Sequence, residues 1–179
     1  HLLVYLCGIL AGLGSAWLIL STTFNASSPL REASISMWGF RGPLGAFLAA
    51  WGGTAMIVSA PFDDWWHNAY GLDTKVLSPP HIVLILGILA IEVAALLIAL
   101  GEMNRAQGRR KAKLTVCFLV LGAMLVRTML GSMIELTSRN LMHSARYYLV
   151  LMIIVPFGWT MVATAARHRW GMTVVMGWI

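Results

Sequence analysis

The chain has 179 residues, enough for one domain, with a mean hydropathy of +0.76 and only 11% charged side chains. Soluble domains carry about a quarter charged residues, so a water-soluble globule is excluded. The formal charge of +6 would suit a nucleic-acid binder, but the cations sit in short links between apolar runs, which is the pattern of membrane topology.

A spanning helix needs about 20 apolar residues, and five stretches meet that length: 2–21, 43–60, 81–101, 114–134 and 147–166. A sixth begins near Trp170 and is cut short by the end of the sequence. The expected fold is all-α, an integral membrane helical bundle with five complete spans and a truncated sixth, forming one transmembrane domain over residues 1–179. A start on His1 and an end inside an apolar run suggest a segment of a longer polypeptide. Between the first two spans the polar, Ser-rich stretch 22–42 offers Ser28-Pro29 as the start of a short interfacial helix.

Orientation follows from Lys and Arg. The link after the third span carries Arg105, Arg109, Arg110, Lys111 and Lys113 and is expected on the cytoplasmic side. Alternation puts Arg31, Arg41, Arg167 and Arg169 on that side too, and leaves Lys75, Arg139 and Arg146 outside. The link from Phe62 to Pro80 then faces the periplasm of a bacterial inner membrane, together with His1 and His143. The first and third spans also read as a repeat: His1 to Ala11 aligns with His81 to Ala90 after one gap, and both stretches begin on His.

The outer link 62–81 gathers acids, imidazoles and aromatics. Asp63 and His67 are four apart and share one face of a helical turn, and Asp64 is three from His67. Ser78 is placed to cap the third helix with Pro79 and Pro80 in its first turn, which fixes His81 near the membrane surface. Two imidazoles and a carboxylate suit a divalent first-row metal, with copper, zinc and non-haem iron all compatible. The ligand set is read as Asp63, His67 and His81, with Asp64, His1 and His143 as further ligands or supporting partners. Interfacial loops also carry Asp caps, Trp pairs and a His for purely structural reasons, so the pattern is compatible with an ordinary loop.

Asp63-x-x-Trp66-His67 followed by Ser78-Pro79-x-His81 resembles the metal-binding pattern in the C subunit of particulate methane and ammonia monooxygenases. That family has Asp-x-x-x-His followed by Thr-Pro-x-His, and the resemblance implies copper on Asp63, His67 and His81. The likeness covers about twenty residues; here one extra residue separates the histidines and Ser replaces Thr. The family's further Asn/His set has no counterpart, since Asn140 and His143 are spaced differently. The same stretch also resembles uncharacterised bacterial multi-pass membrane proteins, which imply no function.

Two ionisable residues lie inside spans, Glu92 in the third and Arg127 in the fourth. Inside a bilayer the default is a paired or functional role, so they are read as a buried charge pair or a charge path beneath the site. Cys7 and Cys117 fall in apolar runs and read as free core thiols. The eleven methionines scatter without a recurring spacing, which favours core filling over metal transport. No P-loop, dinucleotide fingerprint, nucleophile elbow or Cys-x-x-Cys is present. Two functions follow as expectations: a copper-binding membrane subunit of a monooxygenase-like oxidoreductase complex, or a non-catalytic accessory or scaffold subunit that docks through its Trp-rich link to other membrane subunits. Transport of a metal or small solute is less favoured, because no second charged pathway crosses the spans.

Overall fold

A computed structural model describes residues 2–71, 77–133, 145–168 and 170–177. The elements are α1 (Leu2–Phe24), β1 (Ile35–Met37), β2 (Phe40–Gly42), α2 (Leu44–Tyr70), α3 (Pro79–Arg105), α4 (Gly108–Gly131), α5 (Ala145–Ala166) and α6 (Gly171–Gly177). Five of the helices are long and apolar enough to cross a membrane. The protein is an integral membrane helical bundle, and its exposed leucines and most of its exposed isoleucines lie along these spans, where lipid or other apolar surface must cover them.

The chain divides into two compact units, residues 1–74 with 78–98, and residues 75–77 with 99–179. The first is built on α2, the most enclosed span, with 44% of its apolar window buried against 11–28% for the other four. Its Gly52-Gly53 pair explains why. A Cβ on Gly53 would stand 2.8 Å from the Gly8 carbonyl oxygen of α1, and one on Gly52 would stand 2.7 Å from the Gly87 carbonyl oxygen of α3. Adjacent glycines therefore let two helices approach α2 backbone to backbone, the small-residue packing used where no hydrophobic force drives helices together. Gly8 and Gly87 are aligned positions of the sequence repeat, and both pack on Met56 of α2, which is 2% exposed.

The stretch 22–42 departs from the expected interfacial helix. Residues 26–33 are turns, and β1 and β2 form an antiparallel hairpin in the register Ile35 with Gly42 and Met37 with Phe40. Its two-residue turn places Trp38 at φ 52° and Gly39 at φ 83°, the left-handed pair of a type I′ turn, whose twist matches the strands. The hairpin is tied to α1 through Thr23, whose Oγ1 accepts the Arg41 N–H at 2.8 Å and donates to the Ile19 carbonyl at 2.7 Å.

In the second unit Gly122 of α4 takes the Val162 side chain of α5, and Gly158 of α5 takes Val126 of α4. The stretch expected to open a sixth span appears, over 170–177, as the seven-residue α6, which folds against α4 and α5 and buries Val175 completely. Cys7 and Cys117 are free but exposed on their helices, not core thiols.

Candidate metal centre

The link carrying the acids and imidazoles is mostly helix. α2 runs 27 residues, about 40 Å at 1.5 Å per residue. The hydrocarbon core is about 30 Å thick, so the helix outlasts it and carries Asp63 to Tyr70 into the interfacial layer. Rings at helical spacing hold these last turns together: Trp66 and Tyr70 have centroids 4.4 Å apart, and Phe62 lies 6.2 Å from Trp66. Amphipathic aromatics are at home at this depth.

Two termini then fix the imidazoles. α2 ends at Gly71, with φ 86°, a backbone conformation glycine adopts at little cost. In that conformation the Gly71 N–H donates to the His67 carbonyl at 2.9 Å, and the Gly71 carbonyl lies 3.2 Å from His67 Nδ1. A carbonyl only accepts, so Nδ1 carries the proton in this pair. In the neutral ring Nε2 is then the nitrogen with the lone pair. At the start of α3, Ser78 precedes Pro79 and Pro80, which have no N–H to offer a cap. The Ser78 hydroxyl, 4% exposed as a residue, instead lies 2.9 Å from His81 Nδ1.

Both Nε2 atoms converge on one carboxylate oxygen. Asp63 Oδ1 is 3.4 Å from His67 Nε2 and 4.0 Å from His81 Nε2. That oxygen is shut off from solvent and accepts no hydrogen bond among the described residues, although the three side chains as wholes are about 30% exposed. A buried acceptor without a donor is costly. His67 Nε2 stands 3.4 Å away, and a proton on that nitrogen or a metal ion between the two atoms would supply the missing partner.

The donor set can be tested against a metal. Ligands at about 2.1 Å in a tetrahedral shell stand about 3.4 Å from one another. The Asp63–His67 edge has that length; the His81 edge is about half an ångström longer. Among the described residues no group of three His, Cys, Asp or Glu side chains is arranged to hold a metal ion. Two imidazoles and a carboxylate suit a first-row metal in kind, while the 4.0 Å separation of His81 Nε2 from Asp63 Oδ1 is longer than a ligand edge.

The other expected residues are distributed as follows. Asp64 turns to Asn68, whose Nδ2 donates to the Asp64 carbonyl at 2.9 Å and lies 3.4 Å from its carboxylate. His1 and His143 lie outside the described residues, as does Asn140. Glu92 is half-buried on α3 and Arg127 exposed on α4; they belong to different units. Arg127 lies four residues from the end of α4, within reach of an interface for a long side chain. Sequence reasoning missed Gly71 as the residue that orients His67. Its signal is a glycine directly after the last helical residue, the common helix-ending position.

No protein family, curated protein or solved structure matches the chain.

Proposed function

We propose that the protein is a metal-binding integral membrane subunit that holds one divalent first-row ion, copper foremost and zinc or iron as alternatives, on Asp63, His67 and His81. The observation that carries this reading is the convergence of two imidazole Nε2 atoms on a buried carboxylate oxygen that accepts no hydrogen bond among the described residues. Supporting partners strengthen it: a ligating imidazole typically uses its other ring nitrogen in a hydrogen bond that fixes tautomer and orientation. The Gly71 carbonyl does this for His67, and the Ser78 hydroxyl, which can donate or accept, holds the orientation of the His81 ring. Likeness to the copper-binding motif of the particulate monooxygenases adds a reason to place copper first.

Bound copper would supply one-electron redox chemistry at this depth of the membrane. The chain's own residues define the surroundings. Trp65, Trp66 and Tyr70 pack ring against ring on the same last turns of α2 as Asp63 and His67. With the positive-inside assignment the centre faces the periplasmic side. The function is then a subunit of a membrane oxidoreductase complex of the monooxygenase kind. A second reading, an accessory subunit without catalysis, is favoured by the exposed Trp65 and Tyr70, 55% and 67% accessible, which offer a docking surface to another membrane protein.

Metal analysis of the purified full chain separates the readings. The metal proposal expects about one ion per chain, lost when Asp63→Ala and His67→Ala are combined while the helical content is kept. A chain with no stoichiometric copper, zinc or iron, or one whose metal survives the double substitution, leaves only the accessory reading.

A further inference from the structure

The second unit carries two adjoining cavities that the metal reading does not use. The first, about 360 Å³, lies among the end of α3, the start of α4 and the turn after α5, and is lined by Asn104, Lys111, Thr115, Arg167 and His168. The second, about 550 Å³, runs beside it along α3 and α5 past Leu100, Phe157 and Met161. Asn104, Ala165 and Arg167 line both, so a cationic chamber opens into an apolar groove.

The charges in the chamber are not neutralised locally. Glu102 is engaged by Arg105 at 3.2 Å and Arg110 at 2.9 Å, and among the described residues no carboxylate pairs with Lys111 or Arg167. His168 Nδ1 accepts the Trp170 backbone N–H at 3.3 Å, which leaves Nε2 as the protonated nitrogen, a donor for an anion. Arg167 sits at φ 49°, a conformation a non-glycine residue adopts at a cost, at the junction of the two cavities. Phe157 and Met161, 60% and 58% accessible, face the acyl layer of any surrounding bilayer.

We infer that this pair of cavities binds an anionic phospholipid, its phosphate headgroup among Lys111, Arg167 and His168 and one acyl chain along Leu100, Phe157 and Met161. A free phosphate would use only the chamber. A zwitterionic lipid would bring its own cation and forfeit the charge complementarity. The site is independent of the metal centre: its residues, its unit and its ligand chemistry are separate. The same Lys and Arg excess that directs this end to the cytoplasmic leaflet would place it where anionic lipids concentrate.

The test is native mass spectrometry of the full chain in neutral detergent, titrated with palmitoyl-oleoyl phosphatidylglycerol or phosphatidylcholine. Each cation beside an anionic headgroup contributes about fivefold, so Lys111→Gln with Arg167→Gln should lower phosphatidylglycerol retention about thirtyfold, to the phosphatidylcholine level. Arg109→Gln, an exposed cation lining neither cavity, should leave it unchanged. Ala165→Trp keeps both cations but blocks the groove. It should weaken phosphatidylglycerol and spare inorganic phosphate, and it carries the test if the double variant does not fold. Equal retention of the two lipids by the unmodified chain, an Arg109→Gln loss as large as that of the double variant, or full displacement of phosphatidylglycerol by millimolar inorganic phosphate would each overturn the assignment.

Discussion

Ser78→Ala isolates the part of the site that orients a ligand without being one. The Ser78 hydroxyl lies 2.9 Å from His81 Nδ1 and its residue is buried. Pro79 and Pro80 offer no N–H, and the hydrogen bond of the hydroxyl goes to the imidazole of His81. Removing it costs the fold little, about 1 kcal/mol for one neutral hydrogen bond, and leaves the Ser78 carbonyl still accepting the Ile82 N–H at 2.9 Å. The effect on metal binding is larger. His81 is the more distant donor, 4.0 Å from Asp63 Oδ1, and without its anchor the ring loses its direction. Loss of such a supporting partner typically lowers affinity 10- to 100-fold, about 1.4 to 2.8 kcal/mol. Competition titration of the purified chain against a chromophoric copper chelator reads the affinity, and circular dichroism during heating reads the fold. An affinity within about twofold of the unmodified chain would refute the reasoning, because His81 would then owe its position to something other than Ser78.

Other outcomes follow from the same geometry. Asp63→Asn should abolish tight metal binding while Asp64→Asn, whose carboxylate turns to Asn68, should leave it within about threefold; metal titration of the two variants decides between them. Gly71→Ala should cost about 1 kcal/mol or more, since φ 86° is unfavourable for any residue with a Cβ. It should also weaken metal binding by loosening His67, as read by the same chelator competition. Gly53→Ala would press a methyl to 2.8 Å from the Gly8 carbonyl oxygen, and overpacking of this kind costs about 1 to 3 kcal/mol. Gly14→Ala meets nothing within 4 Å and should be neutral or slightly stabilising in helix propensity, with unfolding in mixed micelles comparing the two.

How much of this was legible in the sequence depends on the physics behind each feature. The five spans were, because bilayer thickness sets a length that 2–21 through 147–166 satisfy one by one. The hairpin at 35–42 was not: Trp38-Gly39 lacks the usual Asn-Gly signal, and its turn is held in place by Thr23, eighteen residues from Arg41. The end of α2 was misjudged as loop because polarity begins at Asp63. Polarity there marks where the helix leaves the hydrocarbon, and the helix itself continues to Gly71. Within the candidate site, spacing alone placed Asp63 with His67, and Ser-Pro-Pro placed His81 at a helix start. Which aspartate faces the histidines depends on the rotational phase of α2, set by Gly52, Gly53 and Met56 against their neighbours, and no local pattern encodes it. Two small glycines, Gly8 and Gly87, were visible only as matching letters of a repeat, and both pack on Met56.

The central claim is that two imidazoles and one carboxylate share a metal ion at the end of α2. Electron paramagnetic resonance of the purified full chain loaded with substoichiometric Cu(II) tests it most directly, because nitrogen hyperfine splitting counts the coordinated imidazoles. The account predicts a pattern from two imidazole nitrogens that falls to one in His67→Ala or His81→Ala and is unchanged in Asp64→Asn. A spectrum of free or nitrogen-poor copper, or a two-nitrogen pattern that survives both histidine substitutions, would contradict it.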